Sequence, residues 1–367
     1  MNPPRPRPLV LEIARKAHAS RAAVYAALNG GSRPSTIGVS PEKRERILAV
    51  ARELGYTCND LARSLATGKT HTLGVLVHSL KNNFYADLFI HLDDLCCQDG
   101  YSVFIANSEF DSAREARYLR AFHAKKVDAL VIARDPAHRN NDLLEQLATA
   151  GIPVITLGEI AGAHSPYPNV VFDEARGDQL AAEHLWALGH RRVLHFNAGK
   201  VGDSSQAIQL LRRREFAKAW KTLGGRTLQR FETADPLSGG NELAEFLIGR
   251  PRAAWPTAIV CSSDRLAIRA ISALRSHRIM VPDDLSVIGF DDIDAAAEFV
   301  VPLTTIRLPT RTMAEGVWTL LSERLRAPRS PHGKTASPPR QIVIAPELVV
   351  RQSTRPLGSE KRKPSTP

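Results

Sequence analysis

Cysteine is scarce: the 367 residues hold four, Cys58, Cys96, Cys97 and Cys261. They make no C-x-x-C pair and no zinc spacing, so neither a disulfide framework nor a structural metal is expected. The 12 histidines are scattered without an H-E-x-x-H grouping, which again calls for no metal. No run approaches the ~20 apolar residues of a membrane span, and the opening MNPPRPRP lacks the apolar stretch of a signal peptide. A cytoplasmic protein without membrane association is the expectation. Also missing are G-x-x-x-x-G-K-[ST], a G-x-G-x-x-G after a strand and a G-x-S-x-G elbow. No nucleophile, base or metal set stands in for them, so the sequence reads as a non-enzyme without a cofactor.

Net charge is missing from the middle. Residues 71–350 carry 32 Lys/Arg and 32 Asp/Glu, whereas residues 1–70 carry 12 against 5 and residues 351–367 carry 5 against 1. The whole excess of +11 therefore sits at the two ends. A cationic N-terminal segment on a charge-balanced body argues for a polyanion partner at that end. The length calls for two or three folding units.

Residues Leu9 to Gly30 read as two short helices joined by a tight turn. Glu12, Ile13, Ala14 and Ala17 belong to the first, while Val24 and Leu28 place an apolar stripe on the second. Ser20 stands where the second helix needs a cap. The spacing fits a helix-turn-helix, whose second helix offers its first residues, here Arg21, Ala22 and Tyr25, to base edges. It also fits an ordinary helical hairpin. Ahead of the pair, Met1 to Pro8 is a Pro/Arg-rich arm; behind it come a loop, Gly31 to Val39, and a third helix opened by Ser40-Pro41. Tyr56 to Thr70 reads as a linker with one amphipathic turn at Leu61, Ala62 and Leu65.

From His71 onward apolar runs alternate with helical periods. Strands are expected at Thr72–Val77, Ser102–Ala106, Asp128–Ala133, Pro153–Leu157, Arg192–Phe196, Thr257–Cys261 and Leu285–Phe290, with helices between them. Such alternation means parallel sheet covered by helices, and LGHRRV at Leu188–Val193 marks the start of a second sheet. Ligands in such sheets sit beyond the carboxyl ends of strands. That rule selects His78, Ser79, Asn107, Arg134, Asp135, Asn197, Ser262 to Asp264, Asp291 and Asp292. The competing reading is that these polar groups merely cap the helices that follow.

Several segments resemble the LacI/GalR family of lactose and purine repressors. Glu12, Ile13, Ala14, Ala17, Ser20, Val24, Leu28, Asn29 and Gly30 match its N-terminal pattern; NDLARSLATGKT resembles its hinge; GIPV, GHRRV, VPDDLSVIGFDD and PLTTIRLP resemble its body. The resemblance covers residues 9–353. It implies an α/β protein: an all-α helix-turn-helix domain at 9–56, a hinge at 57–70, and a two-subdomain periplasmic-binding-protein-like core of parallel sheets at 71–353. The first subdomain is expected at about 71–173 and 306–330, the second at about 174–305 and 340–353, and a disordered tail at 354–367. It further implies a homodimer that binds a pseudo-palindromic double-stranded operator, regulates transcription, more often by repression, and responds to a small-molecule effector such as a sugar.

Residue by residue, the family implies DNA contacts from Ser20, Arg21, Ala22, Tyr25, Ala26 and Asn29, and a minor-groove wedge from Leu65 with Ala62 beside it. It implies effector contacts from Phe84, Tyr85, Asp173, Arg212, Ser263 and Asp291. This chain departs from the family at Ala26, where arginine is usual, at Tyr25 for serine, at Cys58 for proline, at Ser263 for asparagine and at Glu215 for glycine. An unusual operator and an open effector identity follow. A solute-binding protein or a sugar or nucleotide enzyme without a DNA role is the alternative.

Overall fold

The computed structural model describes residues 9–28, 39–56, 64, 67–80, 83–134, 139–158, 165–198, 206–235, 237–326 and 339–358. They form two compact units, divided between His71 and Thr72.

The first unit is a trio of helices, α1 (Leu9–Lys16), α2 (Arg21–Leu28) and α3 (Pro41–Glu53). Their apolar positions close on one another, so Ile13, Ala17, Val24, Ile47 and Ala51 make a single buried core. Helix starts are set by serine: Ser20 Oγ accepts from Ala23 N at 3.1 Å, and Ser40 Oγ accepts from Lys43 N at 3.3 Å with Pro41 at the first helical position. Each such cap stabilises a helix by about 1 kcal/mol. Lys16 reaches Glu53 at 2.8 Å, and Arg46 Nε donates to Ala17 O, tying the ends of α1 to α3. Asn29, Ala62, Leu65 and most of the hinge expected at 57–70 lie outside the described residues.

The second unit holds two six-stranded sheets. The first contains β1 (Thr72–Val77), β2 (Ser102–Asn107), β3 (Ala129–Ala133), β4 (Val154–Leu157), β5 (Asn169–Phe172) and β11 (Gln341–Ile344), in the order β11-β5-β4-β3-β1-β2. The second contains β6 (Arg192–Ala198), β7 (Thr227–Thr233), β8 (Ala258–Cys261), β9 (Ser286–Asp291), β10 (Thr304–Arg307) and β12 (Glu347–Val349), in the order β12-β10-β9-β8-β6-β7. Central strands such as β3, β4 and β8 are buried along their whole length, as parallel strands covered on both faces must be. Helices α4 (Asn83–Gln98), α5 (Ser112–Lys125) and α6 (Asn141–Thr149) belong to the first half, α7 (Glu174–Ala187), α8 (Gln206–Thr222), α9 (Gly239–Ile248), α10 (Asp264–Ser276) and α11 (Asp294–Glu298) to the second. Helix α12 (Thr310–Arg326) returns to pack on α4.

Two expectations need correction. The stretch 340–353 does not stay with the second subdomain: β11 pairs in parallel with β5, and only β12 joins the second sheet, antiparallel to β10. Likewise the pair Ile306-Arg307 completes β10 beside β9, so the return to the first half starts after it. The tail is not disordered from 354. Ser353 is fully buried, donating to Val287 O at 2.6 Å and accepting from Thr304 N; His190 Nε2 meets Arg355 O, and Leu357 N donates to Leu188 O. Composition marked this segment as polar, but its backbone satisfies groups that the second sheet leaves open.

Candidate functional site

Helix α2 presents Arg21, Ala22 and Tyr25 to solvent, with Ala26 half-buried, while Ala23, Val24 and Ala27 are its buried face. An eight-residue helix so anchored carries its exposed residues on a rigid rail. Those residues can do two things to a base edge: the Arg21 guanidinium can bond bidentately to guanine, and the Ala22 methyl can pack on thymine.

In the second unit the expected effector residues divide. Arg212, on α8, is 6% exposed and lies at the centre of a charged cluster. Its Nε and Nη2 donate to the Glu174 carboxylate at 2.9 and 3.4 Å, and its Nη1 donates to Asp291 Oδ1 at 3.2 Å and Ser262 O at 2.8 Å. The guanidinium lies 3.7 Å from the Phe290 ring centroid. Glycine makes room for this ring, because a Cβ at Gly177 would stand 2.8 Å from Phe290 Cζ. Burial opposes the charge on Arg212, and Glu174 and Asp291 outweigh it. Burial pushes the Asp291 carboxyl up to about 6, against the pull of Arg212 and with the help of Glu174. Asp291 and Asp292 both hold positive φ, 117° and 59°, a cost of order 1–3 kcal/mol each that a structure retains where the placement of the side chain matters.

Phe84 and Tyr85 open α4 from the other half. Their rings meet at 4.9 Å, and Phe84 abuts Phe172 at 5.6 Å. The Tyr85 hydroxyl stands 3.1 Å from His78 Nδ1, and His78 Nε2 stands 2.8 Å from Arg134 O. Burial raises the Tyr85 phenol, and Glu174 and Asp291 add to the rise, so this ring feels the charges of the second half. Phe84 and Asp291 line one open cavity of about 520 Å³.

The other two expected residues are caps. Asp173 Oδ1 accepts from Arg176 N at 3.0 Å at the head of α7, and Ser263 Oγ accepts from Leu266 N at 3.4 Å at the head of α10. Sequence reasoning missed Glu174, the main partner of Arg212, and Asp178. Burial, aided by Glu174, holds the Asp178 carboxyl well above the ordinary range, and its Oδ2 is one of the buried oxygens without a hydrogen-bond partner among the described residues. A strand-end rule selects residues before a helix, and both of these lie inside one.

A model of periplasmic binding protein-like domains matches residues 182–354. The HTH-type transcriptional regulator DegA of Bacillus subtilis (strain 168) is 32% identical over 354 residues, spanning 95% of this chain and 99% of that protein. The chain belongs to the LacI/GalR family of helix-turn-helix transcriptional regulators. Members of this family regulate transcription and are not enzymes. The HTH-type transcriptional repressor PurR of Photobacterium profundum is 29% identical over 357 residues, 95% of this chain and 99% of that one. Among solved structures, the Lac repressor bound to ONPG in its repressed state superposes with a TM-score of 0.76 at 23% identity, covering 95% of this chain and all of that chain, and attests the fold. A LacI family regulator of Enterococcus faecalis V583 with bound ribose gives a TM-score of 0.64 at 26% identity, over 78% of this chain and 99% of that one. Among the described residues no helix is long and apolar enough to cross a membrane.

Proposed function

We propose that this regulator binds a pseudo-palindromic operator as a homodimer through α2 and releases or tightens its grip when a small molecule, a sugar or related metabolite, occupies the site around Arg212, Phe84 and Tyr85. The carrying observation is the solvent-facing row Arg21, Ala22 and Tyr25 on a helix whose opposite face is buried. The PurR relatives are named repressors, and this supports repression as the outcome. The solved relative with ribose supports a sugar-sized effector. Leu65, with Ala62 beside it, is assigned to the minor-groove wedge of the hinge, where unstacking a base step costs a few kcal/mol that the bent duplex offsets with added contacts. Effector and operator are coupled by about 1–3 kcal/mol, or 5–150-fold in affinity.

The test is duplex selection from random sequence by the full chain, followed by gel shifts across a salt series. A specific band that weakens steeply with salt is expected, since phosphate contacts release counterions. Arg21→Ala should relax preference at one base pair by about 1–3 kcal/mol. Selection that returns no enriched sequence rejects the reading.

A further inference from the structure

The site around Arg212 offers acceptors and holds back donors. Arg212 has five N–H groups, and four of its bonds already go to protein: two to Glu174, one to Asp291 and one to the Ser262 carbonyl. Its charge is met by two carboxylates at once. The guanidinium is therefore a brace for the carboxylates, not a clamp for an incoming anion.

Tyr85 has the same polarity for a different reason. A carbonyl only accepts, so the proton between His78 and Arg134 O sits on His78 Nε2. In the neutral ring His78 Nδ1 is then an acceptor, and the Tyr85 hydroxyl donates to it at 3.1 Å. The phenol oxygen keeps its lone pairs for a ligand. Phe110, stacked on His78 at 4.7 Å, holds the imidazole, and it does so from a positive φ of 58°, beside Glu109 at 49°.

The cavity that Phe84 and Asp291 line continues this pattern. Its wall adds Asp87, Asp292, Asp294 and Glu347. Its two guanidinium groups are spoken for: Arg307 bonds Asp292 at 2.7 Å and Glu347 at 3.4 Å, and Arg311 pairs with Glu315 at 3.5 Å. Burial raises the Asp87 carboxyl, and Asp294 raises it further, a sign of like charges drawn together.

We infer that the effector is a polyol without an anionic group, one whose hydroxyl or ammonium hydrogens feed Asp291, Glu174 and the Tyr85 oxygen, and that His78 is the positioning residue that fixes this polarity. A phosphate or carboxylate would meet committed donors and unpaired acid. This deepens the proposed effector role of the same site and rests on it.

The probes are glucose, glucosamine, glucuronate and glucose 6-phosphate, the matching ribose set and cellobiose, added to the full chain in thermal unfolding and titration calorimetry. Every member that raises Tm should lack an anionic group, and each anionic derivative should bind at least about tenfold more weakly than its parent, the equivalent of 1.4 kcal/mol. Tyr85→Phe should weaken the parent by about tenfold, as expected for a lost hydrogen bond to a buried donor. His78→Phe frees the Tyr85 proton and should narrow the ratio of parent to anionic affinity; a purely structural role would lower both alike. An anionic member that binds as well as its parent, or a panel in which nothing binds, overturns the inference. Phe84→Ala and Asp291→Asn separate the two ways of failing. If an anion binds and either change abolishes it, the site stands and its polarity is wrong; if binding survives both, the site itself is misassigned.

Discussion

The two sheets of the second unit are built alike, strand for strand: β1 and β6, β2 and β7, β3 and β8, β4 and β9, and β5 and β10 hold equivalent places in the two strand orders. Their strand ends differ in chemistry. The first half contributes rings, Phe84, Tyr85 and His78, and the second contributes charge, Arg212, Glu174 and Asp291. The contrast is sharpest after β4 and β9. The chain leaves β4 through Gly158 at φ 71°, a conformation glycine adopts freely, whereas it leaves β9 through Asp291 and Asp292 at positive φ. One topology thus supports a stacking platform and a charged cage, and local strain is concentrated at the cage.

The largest expected effect comes from taking the cage apart. Arg212→Ala leaves Glu174 and Asp291 buried without a cation and should cost about 3–5 kcal/mol in urea unfolding. Phe84→Ala, by contrast, removes a half-buried ring whose contacts with Tyr85 and Phe172 contribute about 0.5–1.5 kcal/mol each. It should weaken effector binding at least tenfold, an effect of about 1.4 kcal/mol. A ring whose loss unfolds the protein more than the loss of Arg212 would erase the distinction between platform and cage.

Titration offers a smaller probe of the same asymmetry. Asp264 opens α10 fully buried, accepting from Thr305 Oγ1 at 2.5 Å and from Ile293 N at 3.0 Å. Gly289 lets it in, since a Cβ there would collide with Asp264 Oδ1. Burial, with Asp291 adding, pushes its carboxyl from 3.8 up to about 7. The folded state therefore holds this proton more tightly than the unfolded chain does. Its contribution to stability is complete below 3.8 and is lost as pH rises through about 7. Asp264→Asn should flatten Tm against pH in that window, on a scale of about 2–4 °C per kcal/mol. An unchanged profile would assign the pH dependence elsewhere.

Much of this was readable in the chain. The seven strands expected from apolar runs all appear within a residue or two of their bounds, because buried parallel strands must be continuously apolar. β5, β10, β11 and β12 escaped because strands of three or four residues carry no periodicity, and β7 escaped because its TLQRFET alternates polar and apolar residues at a sheet edge. Asp291, Phe84 and Tyr85 were placed by motif, and the structure brings them to one site. The commitment of Arg212 to Glu174 was not legible, for the two stand 38 residues apart and only the packing of α7 on α8 joins them.

Ser263 gives the smallest effect and the finest division between the halves. It sits at a strand end, where a ligand contact and a helix cap look the same in sequence, and its hydroxyl accepts from Leu266 N. If capping is its whole task, Ser263→Ala should lower stability by about 0.5–2 kcal/mol and leave calorimetric effector affinity unchanged. Ser263→Asp, which caps as well, should restore the stability. It would also add a carboxylate to an acid-rich wall, so any residual anionic binding should fall further while the parent polyol holds. A Ser263→Ala variant with native stability and weakened affinity would reverse the assignment, moving this residue from the scaffold of α10 into the cage.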